Sequence, residues 1–421
     1  NNKRSSFSGK LGFVLSAAGA SVGLGNIWRF PYLAAKYGGG MFLLVYIILA
    51  LTFGYTMIVA ETSIGRMTKK SPVGAFKFFG NSKFASLGGW INAIIPILIV
   101  PYYSVIGGWV IKYLAEYIIG GSKLLAGDDY FTNFITGGFS AEICFIIFTF
   151  ITLAIIYAGV RNGIERVSKF MMPILIVLSI IITIYSMTRP GALAGVKYFL
   201  IPNFENFSWM TVVAAMGQMF YSLSIAMGIL ITFGSYMKRD VSIENSTKNV
   251  EIFDTAIAIM AGLMIIPAVF AFSGGDPDAL NAGPSLMFIT IPKMFESMGL
   301  STVVGILFFT LVLFAALTSS IALTESAVST FQDEFGWGRK KATFILGGIM
   351  LVLGSLSALG YGPLACVKII GMQFLDFFDF LTNSVMMPIA AFAICILVSK
   401  VIGLNKIEEE VLNGEGKFRR K

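Results

Sequence analysis

The chain has 421 residues, of which 56% are hydrophobic, 14% aromatic and 13% charged, with a formal charge of +8 and no histidine. Soluble domains carry roughly 25% charged residues, so this balance, with a mean hydropathy of +0.80, places the chain among polytopic membrane proteins. The lack of histidine excludes His-based triads, His proton relays and the usual zinc sites.

A membrane-crossing helix needs roughly 20 mostly apolar residues. Ten stretches qualify: 11–36, 41–65, 88–118, 142–159, 166–187, 208–236, 251–273, 297–330, 341–360 and 370–399. The first follows a short basic head without a small-residue cleavage site, so it reads as a retained span and not a signal peptide. It contains "GASVGLGNIWRFP", residues 19–31. Gly19-x-x-x-Gly23 fits a helix-packing motif, but packing requires neither Asn26 nor Arg29. Gly23-x-Gly25 is no dinucleotide loop, because Trp28 follows and no strand precedes.

The third and eighth spans are long enough to be tilted. "GIERVSKFMMP" opens the fifth, with nine residues between Gly163 and Pro173. It reads either as an ordinary proline-containing helix or as a segment that unwinds. The sixth span is interrupted at "YSLSIAMG", 221–228. In the seventh, Asp254 is either a cap near the helix start or a functional carboxylate. In the eighth, "FAALTSSIALT", 314–324, sets hydroxyls in an apolar stretch. They either bond the i−4 carbonyl or ligate a hard cation. Cys144, Cys366 and Cys395 lie in or beside spans at no metal-ligand spacing and read as buried small hydrophobes.

Segments 1–10, 66–83, 161–169, 238–248, 339–341 and 400–421 hold 23 of the 31 Lys and Arg residues. They are the alternate connections, so the positive-inside rule puts both ends in the cytoplasm and favours ten crossings. The basic charge is therefore topological, and a nucleic-acid partner is not expected. Residues 400–421 form a cytoplasmic tail. One membrane domain, 1–421, is expected, with five-helix halves at 11–187 and 208–399. The interrupted spans are the first and sixth, so the halves match in an inverted sense and point to a substrate site at the midplane.

Unpaired backbone groups are not tolerated in lipid. A helix that unwinds at "SVGLG" frees carbonyls, which suit Na⁺, and a half-helix N-terminus, which suits a carboxylate. Arg29 inside a span reads as functional, or as snorkelling to the outer interface. Asp379 in "FFDFLTNS" is a candidate partner, with Tyr103 and Tyr221 beside it.

Four stretches, "LGFVLSAAGASVGLGNIWRFPYLAAKYGGG", "ETSIGR", "GQMFYSLSIAMG" and "LTSSIAL…FQDEF", run in order through the ten-span core. Together they resemble the neurotransmitter:sodium symporter family. The resemblance implies an all-α integral membrane protein with the LeuT-type five-plus-five inverted-repeat bundle, helices 1 and 6 broken. It implies two Na⁺ ions, an amino-acid cargo and alternating access from the cell (inner) membrane. The first Na⁺ site falls on the Ser21 carbonyl and the side chains of Asn26, Ser222 and Asp254. The second falls on the carbonyls of Gly19, Val22 and Ala315 and the hydroxyls of Thr318 and Ser319. The substrate pocket falls on Ala20, Ser21, Leu24, Gly25, Ile99, Tyr103, Tyr221, Ser222, Ser224, Met227, Ser319 and Leu323. The outer gate would be Arg29 with Asp379, lidded by Tyr103 and Tyr221. The inner gate would be Arg4 with Asp333, supported by Phe7, Ser235 and Tyr236. The Gly163-x₉-Pro173 segment would admit water to the second Na⁺ site.

Three departures from the family pattern shape the expectation. Phe7 stands where the inner gate usually has Trp. Asp254 stands where the first Na⁺ site usually has Asn, and its fixed charge would replace chloride. Gly23 stands where monoamine transporters have Asp, so the substrate should bring its own carboxylate. Met227 replaces a bulky Phe and is pliable. These features point to a Na⁺-coupled, chloride-independent symporter for large hydrophobic or aromatic amino acids. The alternatives are a leucine-like substrate or proton coupling through Asp254 or Glu61. A scaffold that lost coupling is opposed by the intact Na⁺ ligands. A membrane-embedded enzyme is opposed by the absence of histidine and of any cysteine cluster.

Overall fold

The computed structural model describes residues 4–276, 279–280 and 283–413. Lys3 and the basic end of the tail, 414–421, lie outside the described residues. Among the described residues the chain is helical, and its one β pairing is an isolated bridge between Ile369 and Met372.

The chain opens with α1 (Lys10–Ser21) and α2 (Gly25–Lys36), bent by 54° at a short break. Then come α3 (Gly40–Thr68), α4 (Lys83–Ile119), α5 (Ser140–Tyr157) and α6 (Val160–Met187). The pair α7 (Trp209–Ser222) and α8 (Ile229–Ser235) is followed by α9 (Ile243–Ser273), α10 (Ser301–Phe335), α11 (Arg339–Leu359) and α12 (Phe374–Ile402). A short helix, α13 (Leu404–Leu412), closes the described chain. Among the described residues, eight helices are long and apolar enough to cross a membrane, or nine if the bent α1–α2 pair counts as one span. The stretch expected as the interrupted sixth span is divided between α7, of 14 residues, and α8, of 7.

Two helices start earlier than hydropathy suggests. The Ser82 hydroxyl accepts from the Ala85 amide at the start of α4, and the Ser242 hydroxyl accepts from the Asn245 amide at the start of α9. Each cap satisfies a donor that the first turn leaves free. A polar stretch that hydropathy assigns to a loop therefore becomes the first turns of a long helix. This places Asp254 well inside α9, where it is fully buried, and excludes the capping reading.

Outward faces are apolar. Ile143, Ile147, Phe150 and Ile151 form an exposed stripe on α5, and Val177, Ile180, Ile181 and Ile184 form one on α6. Such stripes at helical spacing suit hydrocarbon on the outside. Cys144 is buried, but Cys366 and Cys395 are exposed, which corrects the expectation that all three are buried. Cys395 lies on the same outer face of α12 as exposed Phe392, three residues away on a helix.

Inside, α10 runs along α4, and α8 lies against α3. That second contact depends on glycine. A Cβ on Gly65 would sit 2.0 Å from the Ile231 carbonyl oxygen, and one on Gly234 would sit 2.4 Å from the Thr62 carbonyl oxygen. Backbone meets backbone there, so neither side can yield.

Gly65→Val is therefore expected to lower the thermal midpoint of the purified protein by more than ~3 °C. Gly348→Ala, where nothing lies within 4 Å, is the control and should leave it unchanged.

Candidate functional site

The break after Ser21 leaves helical geometry at Val22 (φ −82, ψ 94), and the chain resumes as a π-helical turn over Gly25–Arg29. The glycines permit close approach. A Cβ on Gly23 would lie 2.6 Å from the Ser319 hydroxyl and 2.9 Å from the Tyr103 hydroxyl. On Gly25 it would lie 2.5 Å from the Tyr221 ring.

The break between α7 and α8 has a different character. Ser224 (φ 58) and Ala226 (φ 62) take left-handed backbone without being glycine, at about 1 kcal/mol or more each. The surroundings hold them there. The Ser224 hydroxyl donates to the Ala20 carbonyl (3.1 Å), tying one break to the other. The Ala226 amide donates to both carboxylate oxygens of buried Glu61, at 3.2 and 3.3 Å.

Two oxygen clusters meet these breaks. In the first, Ser222 Oγ lies 2.9 Å from Asn26 Oδ1 and 2.6 Å from Asp254 Oδ1. Asn26 Nδ2 donates to Asp254 Oδ1 (3.1 Å), and the Tyr46 hydroxyl donates to Asp254 Oδ2 (2.7 Å). Asn26, Ser222 and Asp254 are all buried. One hydroxyl proton cannot serve two acceptors fully, so lone pairs remain that fit a hard cation.

In the second cluster, Ser319 Oγ lies 3.2, 3.3 and 3.3 Å from the carbonyl oxygens of Gly19, Ala20 and Val22. Beside it the Thr318 hydroxyl donates to Phe314 (3.0 Å) and Ala315 (3.1 Å) carbonyls. Again the acceptors outnumber the protons. Among the described residues no three His, Cys, Asp or Glu side chains gather as a metal site. Carbonyls, hydroxyls, one carboxamide and the Asp254 carboxylate are oxygen ligands that suit an alkali cation and lack the nitrogen or sulfur that a transition metal favours.

Between the clusters lies a small cavity. All twelve residues expected to line the substrate pocket line this cavity, joined by Gly23, Asn26 and Ile229. Ile99, Met227, Ile229 and Leu323 form its apolar part. Tyr103 closes one side, its hydroxyl accepting from the Leu24 amide at 3.2 Å.

Arg29 and Asp379 do not form the ion pair expected at the outer gate. Arg29 lies with Cζ 5.2 Å over the Tyr221 ring. Asp379 Oδ1 accepts from Tyr102 (3.2 Å) and Asn383 (2.6 Å) instead. An aromatic face takes the cation, and local donors satisfy the carboxylate.

The residues expected at the inner gate do meet. Arg4 Nη1 donates to both oxygens of Asp333 at 2.8 Å, and its other nitrogens donate to Ser235 and Ser329, each at 3.0 Å. Its guanidinium also lies 5.2 Å over the Tyr236 ring. Phe7 packs edge-on against Phe13, Phe233 and Tyr236, and its amide donates to the Tyr236 carbonyl. The Phe7 side chain is thus held by packing alone. Beneath it, Glu325 accepts from Tyr236 (2.5 Å) and pairs with Arg339 (2.6 Å).

The sequence reading missed Tyr46, Ser329, Glu325 and Arg339. Only the last two left a signal, as opposite charges flanking the turn after the eighth span. Gly163 lies in a π-helical turn over Val160–Glu165, and Pro173 lies inside α6.

The profile of the sodium:neurotransmitter symporter family matches residues 4–120 and 134–418. The uncharacterized sodium-dependent transporter YhdH of Bacillus subtilis is 34% identical over 408 residues, covering 96% of this chain and 90% of that protein. An uncharacterized sodium-dependent transporter of Methanocaldococcus jannaschii is 31% identical, covering 97% and 84%. A sodium- and chloride-dependent glycine transporter 2 of Xenopus laevis is 26% identical over 80% of this chain and 52% of its own length. The crystal structure of MhsT in complex with L-phenylalanine superposes with a TM-score of 0.87 at 37% identity, covering 99% of this chain and 94% of that one. The fold is accordingly the LeuT-type helical bundle expected from the sequence.

Gly25→Ala should push the Tyr221 ring out of place and weaken equilibrium amino-acid binding in Na⁺ by ~10-fold or more. Gly217→Ala, whose nearest neighbour would be Arg29 Nη2 at 3.9 Å, should stay within about 2-fold.

Proposed function

We propose that this chain, which belongs to the sodium:neurotransmitter symporter family, imports a large hydrophobic or aromatic L-amino acid with Na⁺ and without a chloride requirement. Family membership makes it a sodium-dependent, multi-pass membrane transporter and not an enzyme. The observation that carries the finer reading is the meeting of two broken helices around one cavity, with an oxygen cluster on each side.

In this reading Asn26, Ser222, Asp254 and the Ser21 carbonyl hold one Na⁺, and the substrate carboxylate completes its shell. Ion and cargo then stabilise each other, which is the coupling. Gly19, Val22, Ala315, Thr318 and Ser319 hold the second Na⁺ and draw α1 to α10. Ile99, Met227, Ile229 and Leu323 receive the side chain. MhsT, solved with L-phenylalanine, supports an aromatic cargo at 37% identity. Arg4 and Asp333 close the cytoplasmic end, and Arg29 over Tyr221 guards the other.

The carboxylate of Asp254 supplies the negative charge that chloride supplies elsewhere, and Tyr46 orients it. The two interrupted stretches begin corresponding halves, 11–187 and 208–399, related as inverted repeats. The N-terminus faces the cytoplasm, and the protein resides in the inner membrane.

The test is uptake of labelled phenylalanine, tyrosine and tryptophan into proteoliposomes, with an inward Na⁺ gradient and chloride replaced by gluconate. Saturable uptake that collapses when K⁺ replaces Na⁺ is expected. Uptake of small amino acids alone would discard the aromatic pocket. For Asp254→Asn, uptake without chloride should fall at least ~10-fold, and chloride should restore part of it. Full chloride-free transport by that variant would contradict the charge-substitution reading.

A further inference from the structure

Arg66 is fully buried at the cytoplasmic end of α3, and the transport mechanism above gives it no task. A guanidinium has five N–H groups, and each of those on Arg66 meets an oxygen. Nε donates to Glu410 Oε1 at 2.7 Å. Nη1 donates to the carbonyls of Val241 and Lys238, and Nη2 to those of Glu410 and Asn413. One side chain thus joins three parts of the chain: α3, the loop after α8, and α13.

The loop it grips belongs to the inner gate. Tyr236 starts that loop, lies under Arg4, and accepts from the Phe7 amide through its carbonyl (2.9 Å). Lys238 Nζ donates to the Ser8 carbonyl (3.1 Å). Lys69, one turn beyond Arg66, donates to the Met237 carbonyl. Three carbonyls of the loop after α8, those of Met237, Lys238 and Val241, are therefore held by cations of α3. On α13, Ile407, Glu410 and Val411 are buried, so one stripe of that helix faces the body and carries the carboxylate.

We propose that Arg66 and Glu410 are positioning residues that clasp α13 and the 237–241 loop to α3 and so hold the inner gate closed. Glu410 supplies the counter-charge that keeps a buried guanidinium in place, and Arg66 passes that restraint to the gate loop through two carbonyls. Lysine cannot replace Arg66, because one ammonium cannot span the fork. Releasing the clasp favours the inward-open form, which lowers apparent Na⁺ affinity by the fraction of competent protein lost. This rests on reading Arg4 and Asp333 as the inner gate; the proteolysis arm below does not depend on transport.

The experiment uses the full chain in proteoliposomes or detergent, as wild type, Glu410→Ala, Glu410→Gln and Arg66→Lys. Lys238 and Arg239 are exposed, yet their loop is held at both ends. Cleavage by trypsin there requires local release. Glu410→Ala should speed cleavage after Lys238 or Arg239 at least ~5-fold and weaken apparent Na⁺ affinity by titration about 3- to 10-fold. Glu410→Gln, which keeps an acceptor for Nε but no counter-charge, should recover less than half of either change, and full recovery would overturn the role given to the charge. Arg66→Lys combined with Glu410→Ala should be no worse than Arg66→Lys alone. Unchanged cleavage in Glu410→Ala overturns the clasp. An equal rise at Lys123, on the opposite side, marks general loosening and also overturns it. Faster cleavage with unaltered Na⁺ affinity overturns the link to the gate.

Discussion

A backbone that leaves its helix inside hydrocarbon must find partners for the groups it frees, and this requirement organises the centre of the molecule. Two helices break, and each break is answered from outside itself. The carbonyls of Gly19, Ala20 and Val22 converge on one hydroxyl of α10, Ser319. The amide of Ala226 is received by Glu61 of α3. Where acceptors exceed protons, as around Ser319 and Ser222, the deficit is what a cation with oxygen ligands fills. In the proposed reading the ion is part of how the broken helices hold together, and its departure would release them.

The same constraint explains the grip of α3 on α8. The Ala226 amide in the α7–α8 break meets a carboxylate, Glu61, and the carbonyls of the loop after α8 meet cations, Arg66 and Lys69. Between them, Gly65 and Gly234 bring the backbones close enough that the two helices cannot slide independently. This pair contributes residues to the cavity and to the cluster around Arg4 that is proposed as the inner gate.

Much of this was legible in the sequence, because the chemistry is unusual for its setting. Asn26 in an apolar span and hydroxyls at 318–320 break a simple pattern, and the residues expected around the cavity do meet there. What stayed hidden looks ordinary by type. Tyr46 sits in "FLLVYIILA", where an aromatic is the default packing residue, so its bond to Asp254 left no trace. Arg66 reads as one more cytoplasmic positive charge until its five partners are known. Hydropathy assigns the polar start of α9 to a loop, because its helix is set by a serine cap and not by hydropathy. The Arg29–Asp379 pairing failed for the opposite reason: complementary charge suggested a contact, and Tyr221, Tyr102 and Asn383 provide closer partners.

The central claim is that Na⁺ completes the polar groups freed at the two breaks. The direct measurement is hydrogen exchange of the amides over 18–28 and 222–229, followed by mass spectrometry in Na⁺ and in equimolar K⁺. Na⁺ should slow exchange in both segments by ~10-fold or more, with little change in α5 or α11, and Ser319→Ala should reduce the effect at 18–28. Equal exchange in Na⁺ and K⁺ would mean that the breaks are satisfied by the protein alone, and the account would be wrong at its base.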